Sequence, residues 1–140
     1  MLAALVLAAC ADYPRDAEGT LDAVRDRGTI RVGVTEIPPS DMIVLQNVGR
    51  DLGRATGARM DLMVGDQERL LAQLEEGEID IVAGLLAEDS PWIADVALIE
   101  PLTEQPAGQR KIGLTLAARN GENAWIGLLE RTVRDAKPAS

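Results

Sequence analysis

Residues Leu70–Gly84 read LLAQLEEGEIDIVAG, and the order of signals within this stretch decides the fold class. Leu70, Leu71 and Leu74 recur at helical spacing, and Gly77 stops that helix inside a charged turn. Ile79–Ala83 is then apolar enough to be a strand buried on both faces. A helix delivered by a tight turn into a doubly buried strand is the return half of a crossover, and such crossovers build parallel sheets.

The flanking sequence extends the same alternation. Asp66 can cap a helix over Gln67–Glu76, and Met60, Leu62 and Val64 alternate as the strand before it. Leu45, Val48, Leu52 and Ala55 give a helix over Met42–Thr56, with Ser40 or Asp41 as its cap and Gly57 as its stop. Pro38-Pro39 breaks the chain ahead of it, and Ile30–Val34 is a strand. Asp22–Arg27 is a short helix with Thr20 as a candidate N-cap and Gly28 as its end. Downstream, Ile112, Leu114, Leu116 and Ala118 alternate as a fourth strand, Asn120-Gly121 makes a turn, and Trp125, Leu128, Leu129 and Val133 line a last helix. Leu102–Lys111 reads as a loop. The expected fold is a single three-layer α/β lobe, a mainly parallel sheet with flanking helices.

Composition narrows the function classes. The chain has 140 residues, 46% hydrophobic and 26% charged, which suits one globular domain with an aliphatic core. There is no Phe, and there are two Trp and one Tyr, so an aromatic ligand cage or a base-stacking platform is not expected. Net charge is −9, from 23 acidic and 14 basic residues, which repels phosphate backbones and argues against nucleic acid as a partner. With no His, the commonest general base, the Ser-His-Asp triad and most zinc sites are excluded. No phosphate-binding glycine pattern is present, and nothing points to an enzyme, a cofactor or a metal.

The opening MLAALVLAAC is too short to span a bilayer but matches the apolar region of a secretory signal, although no Lys or Arg precedes it and the signal reads as incomplete. Leu7-Ala8-Ala9-Cys10 resembles the bacterial lipobox, which implies cleavage before Cys10 and a lipid on its thiol. Ala11 after the cysteine favours the outer membrane, with the periplasm as the compartment. Residues 1–9 are thus expected to be a signal peptide, 10–19 a polar tether containing Pro14, 20–135 the lobe and 136–140 a tail.

Several segments together resemble the family 3 solute-binding proteins of bacterial ABC transporters, which bind amino acids and similar polar solutes. Leu21–Val34, LDAVRDRGTIRVGV, looks like that family's opening helix and first strand. Pro38-Pro39 falls at its pocket loop, and Leu70–Gly84 looks like its helix, charged turn and buried strand. Val96–Leu102, VALIEPL, and Arg119–Arg134, RNGENAWIGLLERTVR, resemble the exit from the first lobe and its closing helix. Members of the family are two-lobed clamshells, whereas here only Leu102–Lys111 separates exit from return, so the resemblance is to a first lobe alone. In the amino-acid binders the loop after the buried strand usually carries hydroxyl residues and an arginine for the ligand's α-carboxylate. The corresponding loop here, Leu85–Trp92, reads LLAEDSPW and places Glu88 and Asp89 where a cation is expected.

The resemblance implies a solute-binding lipoprotein serving an ABC permease, degenerate in its second lobe and its carboxylate clamp. Its candidate ligand residues are Glu36, Pro38, Gly84, Glu88, Asp89 and Trp92. An acidic loop favours a cation, an amine or a protein surface over a carboxylate. Each of these residues also has a plain structural reading. Glu88 and Asp89 suit a solvated turn capping a short helix at Pro91-Trp92, Trp92 suits the sheet edge, and Gly84 suits close packing. The alternative function is a non-transport module that contacts an envelope protein or a second copy of itself.

Overall fold

The computed structural model describes residues 15–86, 91–107 and 110–137. The elements are α1 (Thr20–Arg27), β1 (Thr29–Val34), α2 (Pro39–Thr56), β2 (Arg59–Val64), α3 (Gln67–Glu75) and β3 (Ile81–Leu85). A 3-10 turn at Pro91–Ile93 follows, then β4 (Val96–Leu98), β5 (Gln105–Ala107), β6 (Arg110–Ile112), β7 (Leu114–Arg119) and α4 (Asn123–Ala136). Five strands form one sheet in the order β2-β1-β3-β7-β4. β1 pairs in parallel with β2 and β3, while β7 runs antiparallel to both β3 and β4, so four of the five strands point the same way. This is the α/β lobe expected from the alternation of strands and helices.

Two aliphatic cores sandwich the sheet. Val24 of α1, Leu45, Val48 and Leu52 of α2, and Trp125 and Leu129 of α4 pack on one face. Leu70, Leu71 and Leu74 of α3 cover Ile79, Val82 and Ala117 on the other. β3 and β7 lie between the layers, which is why all but their last residues are buried. Crossovers to opposite faces need close approach at the middle strand. A Cβ on Gly33 would stand 2.6 Å from Leu70 Cδ2, so a side chain there would push α3 off the sheet.

Asp66 caps α3 by accepting from Arg69 N at 3.0 Å. Thr20 does not cap α1, and Ser40 and Asp41 do not cap α2. Thr20 is the first helical residue and α2 begins at Pro39 behind Pro38, where Pro at the first position needs no amide partner. The caps of α1 and α4 instead come from one remote carboxylate. Asp16 accepts from Leu21 N at 2.8 Å and from Trp125 N at 2.9 Å. Buried Glu122 accepts from Glu18 N at 2.9 Å and from the Thr20 hydroxyl. Residues 15–19, within the segment expected to be a tether, are therefore bound to the lobe.

Three further differences from the sequence expectations have simple causes. The stretch expected as a loop over 102–111 holds β5 and the start of β6, paired strands too short to show a period. Ile112 belongs to β6 and is separated from β7 by Gly113, where a Cβ would overlap the Thr103 carbonyl. Val64, expected inward, is 78% exposed because β2 is the sheet edge and its last residues pass beyond the cover of α2.

At the amino ends of β1 and β3, Asp80 gathers four elements and is only 4% exposed. Its carboxylate accepts from Arg27 Nη2 at 2.7 Å, Arg31 N at 2.7 Å and Arg31 Nη2 at 3.0 Å. Its backbone donates to Arg31 O at 2.8 Å and accepts from Trp125 Nε1 at 3.0 Å. Removing one partner of a buried charge pair costs about 3–5 kcal/mol, while exposed pairs contribute about 0–1 kcal/mol. Asp80→Ala should therefore lower the urea-unfolding free energy by about 3 kcal/mol. Asp51→Ala, which removes the exposed partner of Arg54, should change it by less than about 0.5 kcal/mol.

The end of α4 is tied back by Lys137 Nζ, 2.7 Å from Glu100. That hydrogen bond first, and the lysine charge second, hold the Glu100 carboxyl below its ordinary value. A depressed acid contributes stability at neutral pH and loses it as pH falls through its folded value. The Glu100→Gln variant should therefore differ from the parent in thermal stability at pH 7 and converge with it in acid. Glu100 is solvent-exposed, so the difference at pH 7 should be small.

Candidate functional site

The strand order places the fold's natural crevice. From β1 the chain crosses over α2 on one face to β2, then over α3 on the opposite face to β3 on the other side of β1. The carboxyl ends of β1 and β3 thus flank a topological switch point, where ligands sit in open α/β sheets. The loop backbones there are fixed by Thr35 N donating to Ala83 O and Gly65 N donating to Val34 O, both at 3.0 Å.

Three of the predicted residues fall at this end. Glu36 follows β1 and is exposed. Pro38 is the N-cap residue of α2, its carbonyl accepting from Asp41 N at 3.0 Å and Met42 N at 3.1 Å. Gly84 lies near the end of β3, opposite Thr115 of β7. Trp92 is in the 3-10 turn after β3, and its side chain lies outside the described residues, as do Glu88, Asp89 and Cys10.

Two residues that sequence reasoning did not assign to the site complete it. Thr35 leans across the end of β3 so closely that a Cβ on Gly84 would collide with its Oγ1 and approach its Cγ2 at 3.1 Å. Gly84 is therefore a close-approach glycine joining the two strand ends. Asp41 stands in the first turn of α2, on the inward stripe of Leu45, Val48 and Leu52. It is 3% exposed, and its Oδ2 is the only buried side-chain polar atom without a hydrogen-bond partner among the described residues. The signal was present in the sequence: an acid at the phase where the helix repeats Leu and Val.

Magnitudes show how unusual Asp41 is. A carboxylate in the first turn of a helix gains about 0.3–1 kcal/mol from the helix dipole, up to about 2 when partly buried. The dipole supplies no donor to Oδ2, which stays buried and without a hydrogen-bond partner.

A cavity of about 90 Å³ lies at the opposite end of the strands, lined among others by Thr20, Arg31, Gly77, Asp80 and Arg119. Arg31 in it is committed to Asp80 and the Gly77 carbonyl, and no strand order reverses there. This cavity adjoins the Asp80 network, whereas the switch point has the position at which open α/β sheets hold ligands. Among the described residues no three His, Cys, Asp or Glu converge as for a metal ion, and no helix is long and apolar enough to cross a membrane.

Gly84→Ala should destabilise the lobe by about 1–3 kcal/mol through overpacking against Thr35. Introduced into a Thr35→Ala background it should cost less than half as much, read as the coupling energy in a double-mutant cycle of urea unfolding. Additive penalties would show that the two residues do not press on one another.

No family model matches the chain, and no curated protein matches it in sequence. Solved structures do. The arginine-bound form of domain 1 from TmArgBP superposes with a TM-score of 0.68 at 15% identity, over 81% of this chain and 98% of that one. An amino acid ABC transporter substrate-binding protein from Streptococcus pneumoniae, bound to L-arginine, gives 0.67 at 6% identity, over 83% of this chain and 91% of that one. An ancestral cationic amino acid solute binding protein gives 0.51 at 20% identity, over 61% of this chain and 41% of that one. At these identities the likeness is one of fold: the chain has the architecture of one domain of an amino-acid solute-binding protein.

Proposed function

We propose that the chain is the solute-binding lobe of an envelope receptor of the ABC-transporter kind, taking a small polar solute at the carboxyl ends of β1 and β3. The observation that carries this reading is the switch point itself, formed by Thr35, Gly84 and the start of α2 on a fold whose neighbours are amino-acid-binding domains. A lone lobe excludes less water than a clamshell and is expected to bind more weakly. The arginine-bound form of domain 1 from TmArgBP, a neighbour of this shape, supports solute binding by a single lobe.

In this reading the protein is degenerate relative to a two-lobed receptor, and the arginine clamp for an α-carboxylate is absent from Leu85–Trp92. Lipidation at Cys10 holds it to the periplasmic side of the envelope, within reach of a permease. It has no catalytic role.

A second reading has its own support. Ile43, Met63 and Val64 are large exposed hydrophobic residues, and β2 ends and α2 begins at the same end of the lobe as the switch point. Apolar surface there suits a protein partner or a second copy.

A thermal-shift screen of the purified chain against amino acids, polyamines and organic acids tests the receptor reading. A ligand specific for the native state raises the melting temperature by mass action, about 2.7 kcal/mol of stabilisation at a hundred times its Kd. A saturable rise with one solute class is expected. A cooperative melt unmoved by every solute would favour the docking module instead. For the anchor, Cys10→Ser expressed in a Gram-negative cell should leave the detergent phase of a Triton X-114 partition, where the parent should remain.

A further inference from the structure

β2 is the outer strand of the sheet, and its pairing with β1 fixes which of its backbone groups are left over. Arg59 N donates to Gly28 O and Gly65 N donates to Val34 O, both at 3.0 Å. Backbone groups alternate in direction along a parallel ladder. Arg59, Asp61 and Met63 therefore bond to β1, while the N–H and C=O groups of Met60, Leu62 and Val64 point away from the sheet. The opposite edge, β4, is three residues long, whereas β2 runs for six in unbroken register with β1. Shortness, prolines, lysines and bulges keep sheet edges from pairing with other chains, and β2, RMDLMV, has none of these. Met63 and Val64 on it are exposed, as is Ile43 on α2.

We propose that the outer edge of β2 pairs antiparallel with the same edge of a second copy, about a twofold axis through Leu62. This rests on the reading of Ile43, Met63 and Val64 as a docking surface and is independent of solute binding at the switch point. A twofold axis normal to the sheet keeps each face on its own side, so only residues of one face can stand opposite one another. With Leu62 opposite Leu62, Met60 falls opposite Val64, and every outward N–H and C=O of these three residues gains a partner. Centring on Asp61 instead would set two carboxylates against each other and carry Val64 past the end of the partner strand. Centring on Met63 would leave Met60 unpaired in the same way.

The side chains fit the register that the amides select. Met60, Leu62 and Val64 lie beside Ile30, Val32 and Val34, on the face that α2 covers, so exposed Val64 of one copy meets Met60 of the other. On the opposite face Arg59 falls opposite Gly65 of the second copy, next to Asp66 and exposed Glu68 at the start of α3. A base is thus set beside two acids, twice by symmetry. The net charge of −9 opposes self-association at long range, so pairing is expected at physiological ionic strength, where the Debye length is about 8 Å.

The test is amide hydrogen exchange read by NMR on the purified chain at physiological salt, with a reductant to keep Cys10 from cross-linking, and sedimentation equilibrium alongside. A concentrated sample should give a dimer mass with the amides of Met60, Leu62 and Val64 protected. Dilution to the monomer should release these three and leave Asp61 and Met63 protected. Val64→Pro removes one outward donor at an exposed side chain, a change that edge strands tolerate, and should weaken the dimer roughly tenfold or more without altering unfolding of the diluted protein. Arg59→Glu, which sets an acid beside Asp66, should also weaken it. A monomer at every concentration overturns the proposal, as does a dimer unaffected by Val64→Pro. A dimer whose three outward amides still exchange freely overturns it while leaving the docking reading intact, since the contact then lies elsewhere. Protection of the three in a monomer overturns it as well, because a segment of the same chain then covers the edge. None of these results bears on solute binding, which the thermal-shift screen reads separately.

Discussion

The Asp80 carboxylate holds the order of the middle of the sheet. β1 and β3 meet through only three register pairs, Val32 with Ile81, Gly33 with Val82 and Val34 with Ala83. Just below them Asp80 takes the Arg31 amide and guanidinium in two directions, and Arg27 brings in the end of α1. The Asp80 carbonyl receives the indole N–H of Trp125, the largest fully buried side chain, and so positions α4. Charge-assisted bonds of this kind have strong directional preference, and they set which strand lies beside β1. The switch point at the far end is a consequence of that placement.

The two ends of the sheet differ in how fully they are satisfied. At the amino end, Asp16 serves two helix starts, Glu122 closes the 15–20 segment over α4, and Asp80 is saturated. At the carboxyl end, Asp41 has no partner for Oδ2, Thr35 and Gly84 hold two strand ends in close contact, and Ile43, Met63 and Val64 stay exposed. Paired polar groups are concentrated at the amino end, and the unpartnered carboxylate oxygen and the exposed apolar residues lie at the carboxyl end. Groups already paired within the fold have little left to offer a ligand, so the proposed binding end is the less satisfied one.

Much of this was legible in the residues. Helical phase located α2 and α3, Asp66 announced its cap, and Gly57 and Gly77 end or follow their helices in left-handed conformation. The doubly buried strand expected over Ile79–Ala83 is β3, shifted two residues on to Ile81–Leu85 because Ile79 and Asp80 belong to the turn before it. What was not legible depends on partners distant in sequence. β4 has three residues and exists because it pairs with β7. Asp16 looks like tether until α1 and α4 present their amides to it. Val64 alternates correctly and is still exposed, since alternation says nothing about where α2 stops covering an edge. Of the candidate site, Glu36, Pro38 and Gly84 could be placed at the strand ends by reading loops after strands. Ser40 or Asp41 suits a cap by residue type, whereas the phase of Asp41 with Leu45 and Leu52 puts it on the buried face of α2.

The central claim is that solutes meet this lobe at the carboxyl ends of β1 and β3. Amide chemical-shift mapping by NMR during titrations with amino acids, polyamines and organic acids in turn tests it most directly. The account predicts that one solute class gives saturable shifts confined to Thr35–Met42 and Ala83–Leu86, with the Asp80 network unmoved. Shifts centred on Arg31, Gly77 and Arg119 instead, or none with any of these solutes at millimolar concentration, would contradict it.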